Sequence, residues 1–289
     1  MPSECLRARF ARSSRATLLG VDLIVKDEAI HITRWGSAGP TVVMVHGSAQ
    51  GSSVSGTRHF SNQQSLAERG WQIIVPDRPG HGQSPAPGRP DDAEADGVWV
   101  AELLENGAHL VGHSFGACVA LAAAARRPTS VRSLTLIEPG MQKLATEDPN
   151  VRRFGLQMLL ARVLPMPAIS RAKRITKLLH IPSEIRGGST PEELRRIGQG
   201  LARLKIPSKA TLQRELAVIK SKKIPLLVVT GGWSPVFEVT ADAVASAGAG
   251  RRLVIASPHQ AFGLLKFYLE LRRKRFNKAT RWQAHRQQM

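Results

Sequence analysis

The chain has 289 residues, a formal charge of +19 and two cysteines, Cys5 and Cys118, which are poorly placed for a disulfide. This length suits one α/β domain with an inserted subdomain, and no apolar run is long enough for a transmembrane segment. Reduced cysteines and the absence of an apolar secretory signal predict a cytoplasmic protein, and no motif for specific nucleic-acid binding accompanies the basic charge.

The first half of the chain alternates between predicted strands and predicted helices. Apolar runs with strand-like patterns cover residues 18–25, 29–35, 41–45, 71–75, 108–112 and 131–137. Helices are predicted at residues 60–69, 93–105 and 117–125. This alternation favours a doubly wound, mostly parallel sheet, in which run 41–45, apolar on both faces, is a central strand.

The alternation changes after Gly140, where residues 141–223 show helical patterns only. Thr190 begins a capping box with proline next to it, and Ser208 is a second candidate helix cap. The sheet resumes with predicted strands at 224–230 and 252–256, a helix at 236–247 and a closing helix at 260–273. We therefore expect an α/β core at 18–140 and 224–275, a helical cap at 141–223, an irregular basic arm at 1–17 and a basic tail at 276–289.

The stretch Gly112-His113-Ser114-Phe115-Gly116 lies between the predicted strand 108–112 and an alanine-rich helix. A G-x-S-x-G sequence in this context predicts a nucleophile elbow, a turn so sharp that only glycine fits at its two ends. The turn exposes Ser114 at a helix N-terminus, where free N–H groups favour developing negative charge.

Four segments together resemble the α/β-hydrolase superfamily. They are His46-Gly47, the segment Asp77-Arg78-Pro79-Gly80-His81-Gly82-Gln83-Ser84, the elbow, and the late His259. The resemblance covers residues 18–140 and 224–270 with a cap between them. It implies an eight-stranded, mostly parallel sheet and a Ser–His–acid triad, with the acid loop before the histidine loop.

His259 is the predicted general base, because it follows the last predicted strand, where this fold returns a loop to the elbow. Ser257-Pro258-His259-Gln260 lacks the glycines that commonly surround this histidine in the superfamily. We interpret His46, His81 and His113 as structural or pocket-shaping. Their spacing does not suit a metal site, and we expect no cofactor.

The triad acid has more than one candidate. Many superfamily members place an aspartate just after the strand here at 224–230, but this chain has no carboxylate there before Glu238. Glu138 follows the strand after the elbow helix, the position of the acid in some haloalkane dehalogenases and lactonases that the chain resembles. Glu138 is therefore the first candidate, with Asp242 and Glu238 as alternatives. A pocket or cap-anchoring carboxylate is the other interpretation of Glu138.

The backbone N–H groups of Phe115 and Ser48 are the predicted oxyanion-hole donors, since one follows the nucleophile and the other follows His46-Gly47. Asp77 is expected to bind turn amides rather than to do chemistry.

These residues predict a serine hydrolase that cleaves a small-molecule ester or lactone through an acyl-enzyme. One alternative is hydrolysis of a C–C bond in a 1,3-diketone-like substrate; another is a catalytically silent ligand receptor or basic-surface binding module. A serine nucleophile excludes the dehalogenase mechanism, which needs a carboxylate. In the cap, which carries +12, four side chains could line an apolar acyl pocket or belong to its core: Phe154, Met158, Leu159 and Met166. That charge could attract anionic substrates or only be solvated.

Overall fold

The computed structural model describes residues 19–25, 28–48, 55–181 and 190–255. The expected basic arm at 1–17, the closing helix at 260–273, the tail at 276–289 and His259 lie outside these residues.

Eight strands form one sheet in the order β1-β2-β4-β3-β5-β6-β7-β8. Their bounds are Leu19–Val25, Glu28–Trp35, Thr41–Val45, Gln72–Pro76, Ala108–His113, Val131–Ile137, Leu226–Thr230 and Arg251–Val254. The pairs β1–β2 and β2–β4 are antiparallel, and all the others are parallel. The predicted fold class is confirmed, and the carboxyl ends of β3 to β8 meet at one edge.

The described ranges contain eight α-helices. They are α1 Gly56–His59, α2 Ala93–Glu102, α3 Phe115–Arg126, α4 Pro149–Val163, α5 Ala168–Leu178, α6 Pro191–Arg203, α7 Lys209–Ser221 and α8 Pro235–Gly248. Short 3₁₀ helices cover Ser61–Arg69, Pro128–Ser130 and Gln142–Ala145. The first of these lies where the sequence predicted a helix at 60–69.

The sheet has an apolar layer on each face. One layer contains eight of the twelve residues of α3, including four alanines, with side chains of α2, α7 and α8. The small alanine side chains let α3 lie close against β5 and β6, which positions its N-terminus at the edge of the sheet. The other layer is built around the aromatic residues Trp35, Phe60 and Trp71.

The described residues of segment 141–223 are helical, but they divide between two cores. Helices α4, α5 and α6 form a separate apolar cluster around Ala172, Ile175 and Ile197. Helix α7 instead places Leu212, Leu216 and Ile219 in the core of the sheet. Helix α7 thus packs with the sheet, while α4 to α6 pack on one another; the cap at 141–223 stays a prediction. Thr190 and Ser208 cap α6 and α7 by accepting hydrogen bonds from backbone N–H groups three residues later.

Candidate active site

The turn between β5 and α3 holds Ser114 in a backbone conformation with φ 55° and ψ −120°. Residues other than glycine rarely adopt a positive φ, so the surrounding structure must stabilise this turn. A Cβ atom at Gly112 would collide with the carbonyl oxygen of Gly116, and one at Gly116 would collide with that of His46. Both glycines are therefore required for the helix to turn back against β3 and β5.

Backbone hydrogen bonds and one close contact hold the elbow against the ends of β6 and β3. The N–H of Ser114 donates to the carbonyl of Ile137 at 2.9 Å, and the N–H of Gly140 donates to the carbonyl of Ser114 at 3.1 Å. On the other side, a Cβ atom at Gly47 would lie 3.2 Å from the Cβ of Ser114. Ser114 thus lies between the ends of β3 and β6, with Phe115 beginning α3 beside it.

Glu138 follows β6 immediately and is fully buried, with φ 46°. Its Oε1 accepts hydrogen bonds from the N–H of Gly231 at 2.7 Å and from Nε1 of Trp233 at 3.0 Å. Its Oε2 is buried and has no hydrogen-bond partner among the described residues. Burial raises the pKa of Glu138 to about 7, because desolvation outweighs these two hydrogen bonds.

The alternative acids have different surroundings. Glu238 accepts from Oγ1 of Thr230 and lies 2.6 Å from an Arg252 nitrogen. The same guanidinium binds Asp242 at 2.7 Å, and the Asp242 side chain is 68% exposed. A carboxylate that already has a cationic partner in this way is suited to a structural role. His259 lies outside the described residues, so its contact with Glu138 stays a prediction.

Ser48, the predicted second oxyanion donor, is part of a buried ionic network. Its hydroxyl donates to Oδ2 of Asp91 at 2.5 Å. The other oxygen of Asp91 lies 2.8 Å from the guanidinium of Arg78, which also binds Asp96 at 3.1 Å. The Arg78 guanidinium lies 4.9 Å from the centre of the Phe115 ring. One fully buried cation therefore contacts Phe115, a predicted donor, and Asp91, the partner of the other donor residue, Ser48.

Arg78, Asp91 and Asp96 had no predicted role. The arginine lies within the motif that carried the family resemblance, and the signal that could have identified its role is the pair of aspartates 13 and 18 residues later. Arginine is almost never fully buried without an acidic partner, but the sequence alone does not show that Arg78 is buried. Asp77 accepts hydrogen bonds from the N–H groups of Gly56 and Gln83, so it does bind turn amides.

Four histidines surround the base of the elbow: His46, His59, His81 and His113. Burial lowers the pKa of each, that of His113 to about 4, so all four are neutral at pH 7. His46 donates from Nδ1 to the carbonyl of Gly47 and accepts at Nε2 from the N–H of Arg78. These contacts support a structural role, and no three His, Cys, Asp or Glu side chains within the described ranges are grouped to hold a metal.

Aromatic rings connect the loop after β7, which binds Glu138, to helix α4. Trp233, which binds Glu138, lies 5.1 Å from the ring of Phe237, and Phe237 lies 6.5 Å from Phe154 of α4. His180, two residues beyond the end of α5, also contacts Trp233, at 5.1 Å. Of the predicted pocket residues, Phe154 is therefore connected to the site. Met158 packs in the cap cluster, Met166 is half-buried and Leu159 is exposed.

Comparison with known proteins identifies a matching family model and several similar hydrolases. The family model for the alpha/beta hydrolase fold matches residues 40–178. The chain is 34% identical to "Lipase LipV" of Mycobacterium tuberculosis over 154 residues, covering 51% of this chain and 54% of the lipase. It is 32% identical to a 2-hydroxy-6-oxononadienedioate/2-hydroxy-6-oxononatrienedioate hydrolase of Pseudomonas putida, covering 48% of this chain and 47% of that protein. The matches thus span about half the length of these curated relatives.

Among solved structures, an N-acyl homoserine lactonase matches with a TM-score of 0.62 at 17% identity, covering 89% of this chain and 96% of the lactonase. At this identity the likeness concerns the fold. Within the described ranges, no helix has the length and apolar character needed to cross a membrane.

Proposed function

The chain belongs to the α/β-hydrolase superfamily, and on that premise we propose that it is a serine hydrolase that cleaves a small-molecule ester or lactone. In this proposal the Ser114 hydroxyl attacks the carbonyl carbon while His259 takes its proton, and Glu138 holds the imidazole in the required tautomer. The tetrahedral oxyanion is stabilised by the N–H groups of Phe115 and Ser48. His259 then protonates the leaving alcohol as the C–O bond of the substrate breaks. Water attacks the Ser114 ester with His259 as base, the acyl C–Oγ bond breaks, His259 returns the proton to Ser114, and the carboxylic acid is released.

One observation carries the proposal. Ser114 and Glu138 lie at the carboxyl ends of the paired strands β5 and β6, and both have positive φ angles. Backbone strain of this kind is concentrated at functional sites. The carboxylate is buried, has one oxygen fixed by two donors and leaves the other without a partner among the described residues. A histidine N–H is the donor that such an oxygen lacks.

The same features argue against a catalytically silent binding protein. A buried carboxylate without a cationic partner destabilises the fold, and so does a strained serine. A receptor needs neither of them. Both are explained when the serine must be exposed and the carboxylate must bind an imidazolium.

Hydrolysis of a C–C bond is the second candidate function. Its support is the P. putida relative, whose name specifies a hydrolase of 2-hydroxy-6-oxo dienedioates and trienedioates. The same serine, histidine and acid serve either substrate class, so the two functions are separated by assaying p-nitrophenyl esters against a 1,3-diketone-like substrate.

The nucleophile is tested by covalent labelling with a fluorophosphonate probe. We expect the wild-type chain to be labelled and Ser114→Ala to be unlabelled while it keeps the wild-type circular dichroism spectrum. Ser221→Ala is the matched control, because Ser221 ends α7 at the surface. Labelling that persists in Ser114→Ala, or is absent from the folded wild-type protein, contradicts the proposal.

A further inference from the structure

A cavity of about 550 Å³ lies between the loop after β4 and helix α6 of the cap. The loop wall is made of small residues and prolines: Gly80, Gly82, Ser84, Ala86, Pro87, Gly88 and Pro90. The helix wall is made of Arg196, Gln199, Gly200 and Arg203, which are spaced to share one face of α6. Arg89 completes the lining. The volume is within the range of small-molecule sites.

The lining is positively charged, because three of its described residues are arginines and none is acidic. Arg89 is neutralised by Asp96, at 2.7 Å. Among the described residues, Arg196 has one ion pair, an exposed pair with Glu192 one turn away, and a contact of this kind contributes little. Arg203 forms no ion pair with any residue that the structure describes. The excess charge of the cavity therefore lies on α6.

One run of neighbouring residues leads from the cavity wall towards the proposed oxyanion hole. Pro90 in its wall precedes Asp91, whose carboxylate accepts the hydrogen bond from the Ser48 hydroxyl. Ser48 follows Gly47, which lies against Ser114. The loop wall of the cavity is thus joined to Ser48 through Asp91.

We propose that this cavity binds the oxyanion of a ligand, a carboxylate or a phosphate, through Arg196 and Arg203. Guanidinium groups donate paired N–H groups that match the geometry of both anions, and Gln199 offers a neutral donor between them. If the proposed hydrolase function holds, its substrate is an ester with an anionic group at one end. In this proposal the anion is bound at a specific site on α6, and the total charge of the cap is not what attracts it.

The test uses Ser114→Ala protein, so that ligands bind without turnover. Monomethyl adipate and dimethyl adipate differ by one negative charge, and their affinities are compared by calorimetry at fixed ionic strength. We expect the monoanion to bind about tenfold more tightly than the neutral diester. Arg196→Gln and Arg203→Gln should each remove most of this preference. Arg195→Gln is the matched control, since it removes the same charge from the same exposed helix outside the cavity, and it should keep the preference.

Competition identifies the anion. Stronger displacement of monomethyl adipate by inorganic phosphate than by acetate assigns a phosphate group, and the reverse assigns a carboxylate. Displacement by neither overturns the site, as does equal binding of the two adipate esters or an equal loss in Arg195→Gln. Wild-type protein that hydrolyses esters without the preference overturns this inference alone. Protein with the preference but no hydrolase activity overturns the proposed function alone.

Discussion

Glu138 and Glu238 bind adjacent backbone amides of one loop, those of Gly231 and Gly232, yet their carboxylates have opposite surroundings. Glu238 is partly exposed and paired with Arg252 at 2.6 Å. Glu138 is fully buried, has no ion pair with a described residue and has a pKa raised to about 7 by burial. A carboxylate with a cationic partner stabilises the loop. A buried carboxylate without one destabilises the fold, and a catalytic role explains why it is kept.

The largest expected difference between substitutions of Glu138 and of Glu238 is in kcat. Glu138→Gln keeps both hydrogen bonds to Oε1 but presents an amide to the predicted His259, which favours the wrong tautomer. We expect kcat for a p-nitrophenyl ester to fall by about 10⁴-fold, with the circular dichroism spectrum unchanged.

Glu238→Gln and Asp242→Asn are the matched variants for this measurement, and we expect kcat within a few-fold of wild type for both. Near-normal kcat in Glu138→Gln together with a large loss in either of the others would place the acid in the later loop. Glu138 would then be a pocket residue.

The next effect is on stability. The folded-state pKa of Glu138, about 7, lies above its ordinary value of 4.5, so its contribution to folding is most favourable below pH 4.5 and is lost as the pH rises to 7. Above pH 7 the ionised group costs about 3 kcal/mol. Glu138→Gln should therefore be more stable than wild type at pH 8 in urea unfolding, by less than that amount because the hydrogen bond proposed from His259 to Oε2 offsets part of the cost, and the difference should shrink towards pH 5.

A variant that loses activity and gains stability is the expected result for a residue kept for catalysis. A loss of stability at pH 8 would indicate instead that the carboxylate has a favourable structural role, and it would remove the contrast with Glu238.

The smallest expected effects are on stability, when Arg252 or its exposed partner Asp242 is replaced. Arg252→Gln leaves Glu238 without its partner in a partly exposed position, so we expect a loss of about 1 kcal/mol in the free energy of unfolding and little change in kcat. Asp242→Asn should change stability by less than about 0.5 kcal/mol, since that side chain is 68% exposed. A kcat loss of more than tenfold in Arg252→Gln would show that the later loop takes part in the chemistry.

Most of the sheet was predictable because its signals are local. The strands Thr41–Val45 and Val131–Ile137 have the predicted bounds, and α8 is within two residues of its prediction. Boundaries were less accurate where the chain leaves a helix: α2 ends at Glu102, before a turn that places Glu105 at φ 41°. The packing of α7 was not predictable, because an apolar helix face fits a cap core and a sheet core equally well.

The sequence by itself determined the elbow, because two glycines around Ser114 permit a turn that steric clashes forbid to other residues. It also narrowed the acid to three carboxylates. Only the tertiary structure decided how these carboxylates differ. Trp233, 95 residues after Glu138, donates to it, while Arg252 binds Glu238 and Asp242. Arg252 in β8 compensates the charges of Glu238 and Asp242 in α8, whereas among the described residues Glu138 has only neutral donors, from a loop far along the chain. Local sequence patterns do not predict which of these groups meet, because their contacts depend on how the strands pair.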